Sequence, residues 1–304
     1  MKTILLTGGT GLTGNHLTHL LVSQGFDVRV LSRNHVPSTG SIRFFKWDVE
    51  KHMLPEEPLR DADAIIHLAG ESISKRWTKH RRERIWESRI RSTDLLFDKV
   101  AEYDARPKVL LAASGSGYYG ATTGDKIFVE DDPSGDDFLA RVCTDWEDRI
   151  NRFRTRSIRT VIFRTGVVLS AQGGMLQKVL PMAKLGLMGK IGSGRQYMPW
   201  IHIDDLCRLY QFALVESHVN GIYNAVAPEH ISQADFAKTL SSVIGQSILA
   251  PPTPAFFLQF LLGEMSALLL EGSRVSSDKI IEAGFRFQYP VLEAALSQLL
   301  HKIK

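Results

Sequence analysis

The segment 2–14, KTILLTGGTGLTG, constrains the fold most, because an apolar strand runs directly into a glycine-rich turn. Gly8, Gly11 and Gly14 form a G-x-x-G-x-x-G series, and a helical run at 17–21 follows. Such glycines allow a sharp turn, close approach of the backbone to a pyrophosphate, and close packing of helix on strand. The helix N-terminus then offers free N–H groups to phosphate. A glycine-rich turn without a ligand is the alternative. The pattern predicts a bound dinucleotide contacted by Gly8, Gly9, Thr10, Gly11, Leu12 and Gly14.

Short apolar runs alternate with helical runs through the first half of the chain. We predict strands at 2–7, 27–32, 42–47, 64–68, 109–113 and 159–164, and long helices at 79–103 and 137–155. This alternation is typical of a Rossmann-type α/β fold, a doubly wound parallel sheet with helices on both faces. Ligands of such sheets bind outside the carboxyl ends of the strands. The strand ends therefore predict further cofactor contacts at Leu68, Ala69 and Val168.

The second half of the chain is loop-rich and then mostly helical. We predict helices near 175–185, 206–216 and 233–244, with Asp204 or Asp205 capping the second and Ser232 the third, and a strand at 221–225. The apolar stretch 255–270 contains polar residues and a glycine, which favours a buried helix or helix pair over a membrane span. We expect a dinucleotide-binding domain at 1–166 plus about 198–226. The remaining parts, about 167–197 and 227–304, would form a smaller, mostly helical C-terminal substrate lobe.

Composition narrows the class of protein. The 304 residues are 44% apolar and 23% charged, which is ordinary for a soluble globular protein. A net charge of +4 gives no global case for a nucleic-acid partner. Two cysteines, Cys143 and Cys207, give no disulfide framework, and no charged-then-apolar leader precedes the first strand. We therefore expect a cytoplasmic protein with neither a nucleic-acid nor a membrane partner.

The end of the second predicted strand indicates which nicotinamide cofactor binds. NAD-binding folds place Asp or Glu about 20 residues past the glycines, to bond the ribose hydroxyl. Here Ser32 and Arg33 stand there instead. The donor fork of Arg33 suits a 2′-phosphate, with the Ser32 hydroxyl beside it, whereas a solvated surface arginine is the alternative. The sequence thus predicts NADP(H). Asp48, after the third strand, is either an acceptor for the adenine amino group or a turn residue.

Several longer motifs match one family. They are HLAGESI (67–73), RWT (76–78), SRIRST (88–93), YYG (118–120), RTGVVLS (164–170), GSGRQYMPWIHIDDL (192–206) and LLEGSRV (269–275). Over nearly its whole length the chain resembles the "epimerase family" proteins, atypical extended short-chain dehydrogenases/reductases described as nucleoside-diphosphate-sugar epimerases. The resemblance implies a Rossmann domain, NADP(H) and a C-terminal substrate lobe. Arg89, within SRIRST, is our candidate to contact the cofactor pyrophosphate or a substrate phosphate.

The catalytic pair of that superfamily is missing. Most of its enzymes use a tyrosine followed four residues later by a lysine that lowers the tyrosine pKa. None of the seven tyrosines here has a lysine at that spacing. If Glu147 matches the helix glutamate of the family, Leu139 and Cys143 occupy the two positions. Proton transfer would then need another group, for which the predicted catalytic candidates are Tyr118, Tyr119 and Ser114. A Cys143 thiol is a further alternative.

The predicted substrate contacts are Glu71, Arg195, Tyr197 and Trp200, because arginine, aromatic and acidic groups suit a nucleotide or anionic ligand; loop packing is the alternative for the last three. His202 and Asp204 resemble a metal pair, but two ligands make no site, and we predict no metal. The basic run at 75–91 has the pattern of a solvated helix face with i,i+4 ion pairs, and one or two of its cations are expected to reach the cleft.

Two functions follow from these residues. The first is an NADP(H)-dependent oxidoreductase or epimerase acting on a nucleotide sugar or a similar polar alcohol or carbonyl compound. The second is a non-catalytic NADPH-binding sensor or partner-binding module. We expect a small-molecule substrate as the partner and a homodimer as the candidate assembly.

Overall fold

Seven parallel strands form the central sheet of the computed structural model, which describes residues 2–34, 36–38 and 40–301. The strands of the chain are β1 Thr3–Thr7, β2 Asp27–Ser32, β3 Ile42–Lys46, β4 Ala64–His67, β5 Val109–Gly115, β6 Ile127–Phe128, β7 Arg159–Thr165, β8 Val167–Ser170, β9 Trp200–His202, β10 Gly221–Ala225 and β11 Arg274–Val275. The helices are α1 Leu12–Ser23, α2 Lys79–Glu102, α3 Phe138–Asn151, α4 Gly174–Lys184, α5 Ile203–Val215, α6 Gln233–Ile244, α7 Ala255–Leu262, α8 Ala267–Leu270, α9 Asp278–Glu282 and α10 Leu292–His301. Short 3-10 turns occupy Ser116–Tyr119, Arg152–Arg156 and Gly263–Ser266.

The strand order across the sheet is β10-β7-β5-β4-β1-β2-β3. Leu6 of β1 pairs with Val30 of β2 on one side and with Ile66 of β4 on the other. From β1 the chain adds β2 and β3 on one side of the sheet. It then crosses back to add β4, β5, β7 and β10 on the other side. This reversal opens a crevice between the carboxyl ends of β1 and β4, which is where doubly wound sheets bind their ligands. The predicted Rossmann-type fold is confirmed.

The alternation of side chains along β1 places an apolar layer on each face of the sheet. Ile4 and Leu6 pack with Leu17 and Leu21 of α1 on one face. Leu5 belongs to the cluster on the other face, together with residues of α2 and α3. Helices therefore cover both faces, as a parallel sheet requires.

The C-terminal part packs on the first of these apolar layers. Residues from α4, α6 and α10 share one continuous buried cluster with β1 and α1. β8 pairs with β9, β6 pairs with β11, and β10 extends the main sheet next to β7. The predicted division into two domains stays a prediction, because the apolar core runs through both parts without a break.

Two local predictions about this part are wrong. The stretch forms a helix pair, α7 and α8, which was one of the two predicted forms, but no residue of either helix is buried and Phe260 is 82% exposed, so the predicted burial is wrong. The partly buried residues of α7 are Ala255, Leu258 and Leu262, which share one face at i, i+3 and i+7. The α5 cap also differs: Nδ1 of His202 accepts the N–H of Asp204 at 3.0 Å. No helix within the described ranges has the length and apolarity needed to cross a bilayer.

Candidate functional site

The glycine-rich turn has the geometry of a phosphate-binding loop. Gly8 has a positive φ of 73°, and its carbonyl accepts the N–H of Gly11 at 3.0 Å. A Cβ on Gly14 would overlap the Gly8 carbonyl oxygen and lie 2.7 Å from Gly9 Cα, so helix and turn touch through bare backbone. The cap residue Gly11 provides no side chain to the first turn of α1, and that turn contains no acid. The N–H groups and the positive helix end are therefore uncompensated and suit an anion.

A buried polar chain fixes the wall of the crevice between β1 and β4. Thr7 Oγ1 accepts the N–H groups of Leu68 and Ala69 at 3.2 and 3.1 Å, so its hydrogen points to His67 Nδ1, 2.8 Å away. His67 Nε2 in turn donates to Thr93 Oγ1 at 3.0 Å. Burial, and secondarily the charge of Arg89, lower the pKa of His67 to about 3. The ring is therefore neutral and holds the loop after β4 in place.

Arg89 lies under that same loop. Its guanidinium donates to the Glu71 and Ile85 carbonyls at 3.1 and 2.9 Å and packs over the Trp146 ring, 5.1 Å from its centroid. The Cζ atom is 3.1 Å from where a Cβ of Gly70 would be. The Arg89 guanidinium therefore holds the backbone at Gly70 and Glu71 in place. The predicted contact of Arg89 with a pyrophosphate stays a prediction.

The two positions predicted to select the cofactor have different environments. Ser32 is buried, and its hydroxyl accepts the N–H of Asn34 at 3.2 Å. Arg33 is 73% exposed at the crevice mouth, where Nη1 is 3.9 Å from Glu71 Oε2. Glu71 also contacts Arg81 and Arg84 of α2. Asp48 accepts the N–H groups of residues 50 and 51 through Oδ1, as a turn residue does.

The opposite wall brings two predicted cofactor contacts together. The side chain of Leu12, at the start of α1, packs against the turn before α4. A Cβ added to Gly173 would lie 3.1 Å from it, and a Cβ added to Gly174 would lie 3.3 Å from it. The Val168 carbonyl of β8 is 3.4 Å from that second position. The start of α1, β8 and the turn before α4 therefore form one continuous edge.

A buried ionic network occupies the carboxyl ends of β5 and β7. Arg164 forms a bidentate pair with Glu147, at 3.0 Å from Nε to Oε1 and 2.9 Å from Nη2 to Oε2. Ser114 donates to the same carboxylate at 2.6 Å. Burial lowers the pKa of Arg164, but its hydrogen bonds and charge attraction to Glu147 outweigh burial and leave that pKa above its usual range. Sequence reasoning selected Ser114 but missed that Arg164 and Glu147 hold it.

The two adjacent tyrosines differ in what they can do. Tyr119 is 1% exposed, and its hydroxyl donates to Asn224 Oδ1 at 2.7 Å while accepting from Arg164 Nη1 at 3.1 Å. Burial, above all, raises the pKa of Tyr119 to about 12. Tyr118 is half-buried, with the Arg164 guanidinium 3.3 Å from its ring centroid. No described residue hydrogen-bonds its hydroxyl. Of the two residues, Tyr118 is the more exposed.

The residues at the positions of the family pair are closely packed. Leu139 lies 3.3 Å from a Cβ position on Gly117, and Cys143 Sγ is 3.7 Å from the Gly115 carbonyl oxygen. Burial, with the charge of Glu147, raises the pKa of Cys143 to about 11. The group is therefore a neutral thiol at physiological pH, which makes it a poor nucleophile and a weak acid.

The predicted substrate residues do not lie together. Arg195 is exposed, and Tyr197 is half-buried with the Arg274 guanidinium 5.4 Å from its ring centroid. Trp200 is fully buried in the core, and its Nε1 donates to the Glu229 carbonyl at 3.2 Å. Trp200 is the first residue of β9, a fully buried strand, and its ring lies in the core. A contact between Trp200 and substrate is thus not supported. Within the described residues no three metal-ligating side chains cluster.

Comparison with known proteins identifies the family to which this chain is similar. Residues 4–225 match the family model "NAD dependent epimerase/dehydratase family", and residues 253–299 match a domain of unknown function. The chain is 38% identical over 299 residues to "Epimerase family protein YfhF" of Bacillus subtilis, covering 98% of this chain and 97% of that protein. It is 36% identical over 302 residues to the human "Epimerase family protein SDR39U1", covering 98% and 99%.

Solved structures agree with the fold. The crystal structure of human epimerase family protein SDR39U1 (isoform 2) with NADPH superposes with a TM-score of 0.87 at 34% identity, covering 98% of this chain and 99% of that one. The UDP-glucose 4-epimerase of Thermotoga maritima with UDP-glucose has a TM-score of 0.77 at 18% identity, covering 99% and 98%. The second likeness bears on the fold alone.

Proposed function

Because the chain belongs to the NAD dependent epimerase/dehydratase family, we propose that it binds NADP(H) and acts as an oxidoreductase or epimerase-like enzyme on a nucleotide sugar or a similar polar alcohol or carbonyl compound. The observation that supports this most is the bare-backbone cradle at Gly8–Gly14. Its uncompensated helix N-terminus meets the crevice at the point where the strand order reverses. The related human protein was crystallised with NADPH, which favours the phosphorylated cofactor.

The residues of this chain fit that cofactor. The amide groups at the start of α1 would bind the pyrophosphate, and Arg33 would meet the 2′-phosphate at the crevice mouth. The backbone of Leu68 and Ala69, held by Thr7, would line the nucleoside. When bound, the nicotinamide exchanges a hydride with the substrate carbon. The protein must then hold the substrate and move a proton at its oxygen.

Tyr118 is the group we assign to that proton. Tyr118 is partly exposed and no described residue hydrogen-bonds its hydroxyl, whereas Tyr119 and Ser114 are already bonded inside the ionic network. A general acid or base of this kind contributes about 10²–10⁴-fold to rate. Tyr118→Phe should therefore lower turnover by about that factor while leaving NADPH affinity within about twofold. Tyr103→Phe, at a phenol bonded to the Leu54 carbonyl, is the matched control.

The test is turnover by purified protein across a panel of nucleotide sugars and polar carbonyl compounds. Net oxidation or reduction is followed at the nicotinamide absorbance band, and epimerisation, which returns the cofactor unchanged, is followed by chromatography of the sugar product. Turnover that falls in Tyr118→Phe and persists in Tyr103→Phe supports the enzyme. A silent panel despite saturable NADPH binding contradicts it.

A second function has its own observation. Ser114 and Tyr119 are bonded within the buried network and Cys143 is a neutral buried thiol, so the predicted catalytic groups other than Tyr118 are held in buried structural contacts. A non-catalytic NADPH-binding sensor would need none of them. Such a sensor requires that the cofactor change the affinity for a partner, since linkage needs differential binding to two states. Identical partner capture with and without NADPH would count against it.

A further inference from the structure

Three arginines surround one carboxylate at the mouth of the crevice. Arg81 Nη1 is 2.7 Å from Glu71 Oε1, and Arg84 Nη2 is 3.8 Å from Oε2. Arg33 Nη1 lies 3.9 Å from the same oxygen, Oε2. We call Arg33, Arg81, Arg84 and Glu71 the arginine cluster. Its arginines come from different elements, because Arg33 follows β2 whereas Arg81 and Arg84 lie in the first turns of α2.

The cluster has more positive charge than its acid can neutralise. Three guanidinium groups and one carboxylate leave a formal surplus of two positive charges. Arg81 is the best held of the three, because its side chain is 14% exposed and Nη2 donates to the Ser72 carbonyl at 2.8 Å. Its Nε is buried without a hydrogen-bond partner among the described residues. A buried donor left unpaired is costly, so an additional anionic acceptor would stabilise this arrangement.

The position of the cluster limits what that anion is. Arg33 stands directly after β2, where folds of this type contact the 2′ position of the adenosine ribose. Glu71 follows β4, on the other side of β1, four residues past His67. A phosphate monoester has about −1.5 to −2 charges at neutral pH, which matches the surplus.

We propose that Arg81 and Arg84 join Arg33 in binding the 2′-phosphate of the cofactor, and that Glu71 is the counter-ion which this phosphate partly displaces. The inference rests on the proposed function, in which the chain binds NADP(H). It assigns cofactor selectivity to α2 as well as to the end of β2. It also gives Glu71 a role at the cofactor in place of the predicted substrate contact.

The experiment is calorimetric titration of the full chain with four probes: NADPH, NADH, 2′,5′-ADP and 5′-AMP. The variants are Arg81→Gln, Arg84→Gln and Glu71→Gln. Arg91→Gln is the matched control, since Arg91 is on the same helix and pairs with Glu87, outside the arginine cluster. Each variant is checked by thermal unfolding. If Arg81→Gln does not fold, Arg84→Gln, at a side chain 49% exposed, provides the same test.

Loss of one charge-assisted bond predicts about a ten- to hundredfold weaker affinity of the arginine variants for NADPH and 2′,5′-ADP. NADH and 5′-AMP affinities should stay within about twofold. Glu71→Gln should tighten NADPH and 2′,5′-ADP several-fold, because a like charge beside the phosphate is removed.

Three outcomes separate the claims. If wild type binds no NADPH, the proposed function fails. If NADPH binds and the NADPH-to-NADH ratio is unchanged in Arg81→Gln and Arg84→Gln, the arginine cluster is only a structural ion-pair network and this inference is overturned. If Glu71→Gln instead weakens 2′,5′-ADP, Glu71 orients the arginines, and its role as a displaced counter-ion is refuted.

Discussion

Removal of the charge on Glu147 tests whether the buried network at the end of β5 holds the fold together. Glu147→Gln keeps the shape of the side chain but leaves the Arg164 guanidinium without its carboxylate. Arg164 is 2% exposed, so water cannot replace the bonds at 3.0 and 2.9 Å. Breaking a buried pair by neutralising one partner costs about 3–5 kcal/mol. That is a large part of the roughly 5–15 kcal/mol by which a domain is stable.

The assay is urea unfolding of purified protein, followed by tryptophan fluorescence. Asp94→Asn is the matched control, because Asp94 pairs with Arg152 at 2.6 Å on the surface, where such pairs contribute about 1 kcal/mol or less. The free energy of unfolding should fall several times further in Glu147→Gln than in Asp94→Asn. Equal losses in the two variants would refute the assignment of a structural role to the network.

Three further predictions follow from the crevice. Arg33→Ala should weaken NADPH by about 1.5–3 kcal/mol and leave NADH nearly unchanged, as measured by calorimetry; equal losses would refute its contact with the 2′-phosphate. Gly14→Ala should destabilise the protein by about 1–3 kcal/mol in urea unfolding, because its Cβ overlaps the Gly8 carbonyl, whereas Gly124→Ala, with nothing within 4 Å, should be neutral. The folded pKa of His67, about 3, lies below its ordinary 6.5, so the unfolded chain binds the extra proton between these values and stability falls on acidification through that window. About 2 kcal/mol should be lost by pH 5, and a His67→Gln variant that keeps the same slope would contradict this.

Local sequence patterns predict the central sheet well because its strands are short, apolar and bounded by turn residues. The strands at 27–32 and 221–225 coincide with β2 and β10, and the helix at 233–244 coincides with α6, including its Ser232 cap. Because a parallel sheet is buried on both faces, its strands are nearly continuous apolar runs that are easily recognised in the sequence. The glycine spacing likewise predicts the cradle, since close approach of backbone to backbone excludes side chains.

Tertiary environment explains where the structure departs from the sequence predictions. Seven of the eight residues of α7 are apolar, so its composition does not show that one face is partly buried and the rest of the helix is exposed. Trp200 is an aromatic residue in a loop-rich motif, but the pairing of β8 with β9 buries it.

Long-range contacts account for what was missed. Arg81 and Arg84 resemble other cations of a solvated helix until α2 packs beside Glu71. Glu147 and Arg164, 17 residues apart, meet only when α3 lies against β7. A single sequence contains no direct signal of either encounter.

The central claim is that backbone amides at the start of α1 bind a phosphorylated dinucleotide. Calorimetric titration of ligand-stripped protein with NADPH and NADH tests it most directly. The account predicts saturable binding of one NADPH per chain, tighter than that of NADH. Absence of both heat and saturation with either cofactor would contradict it.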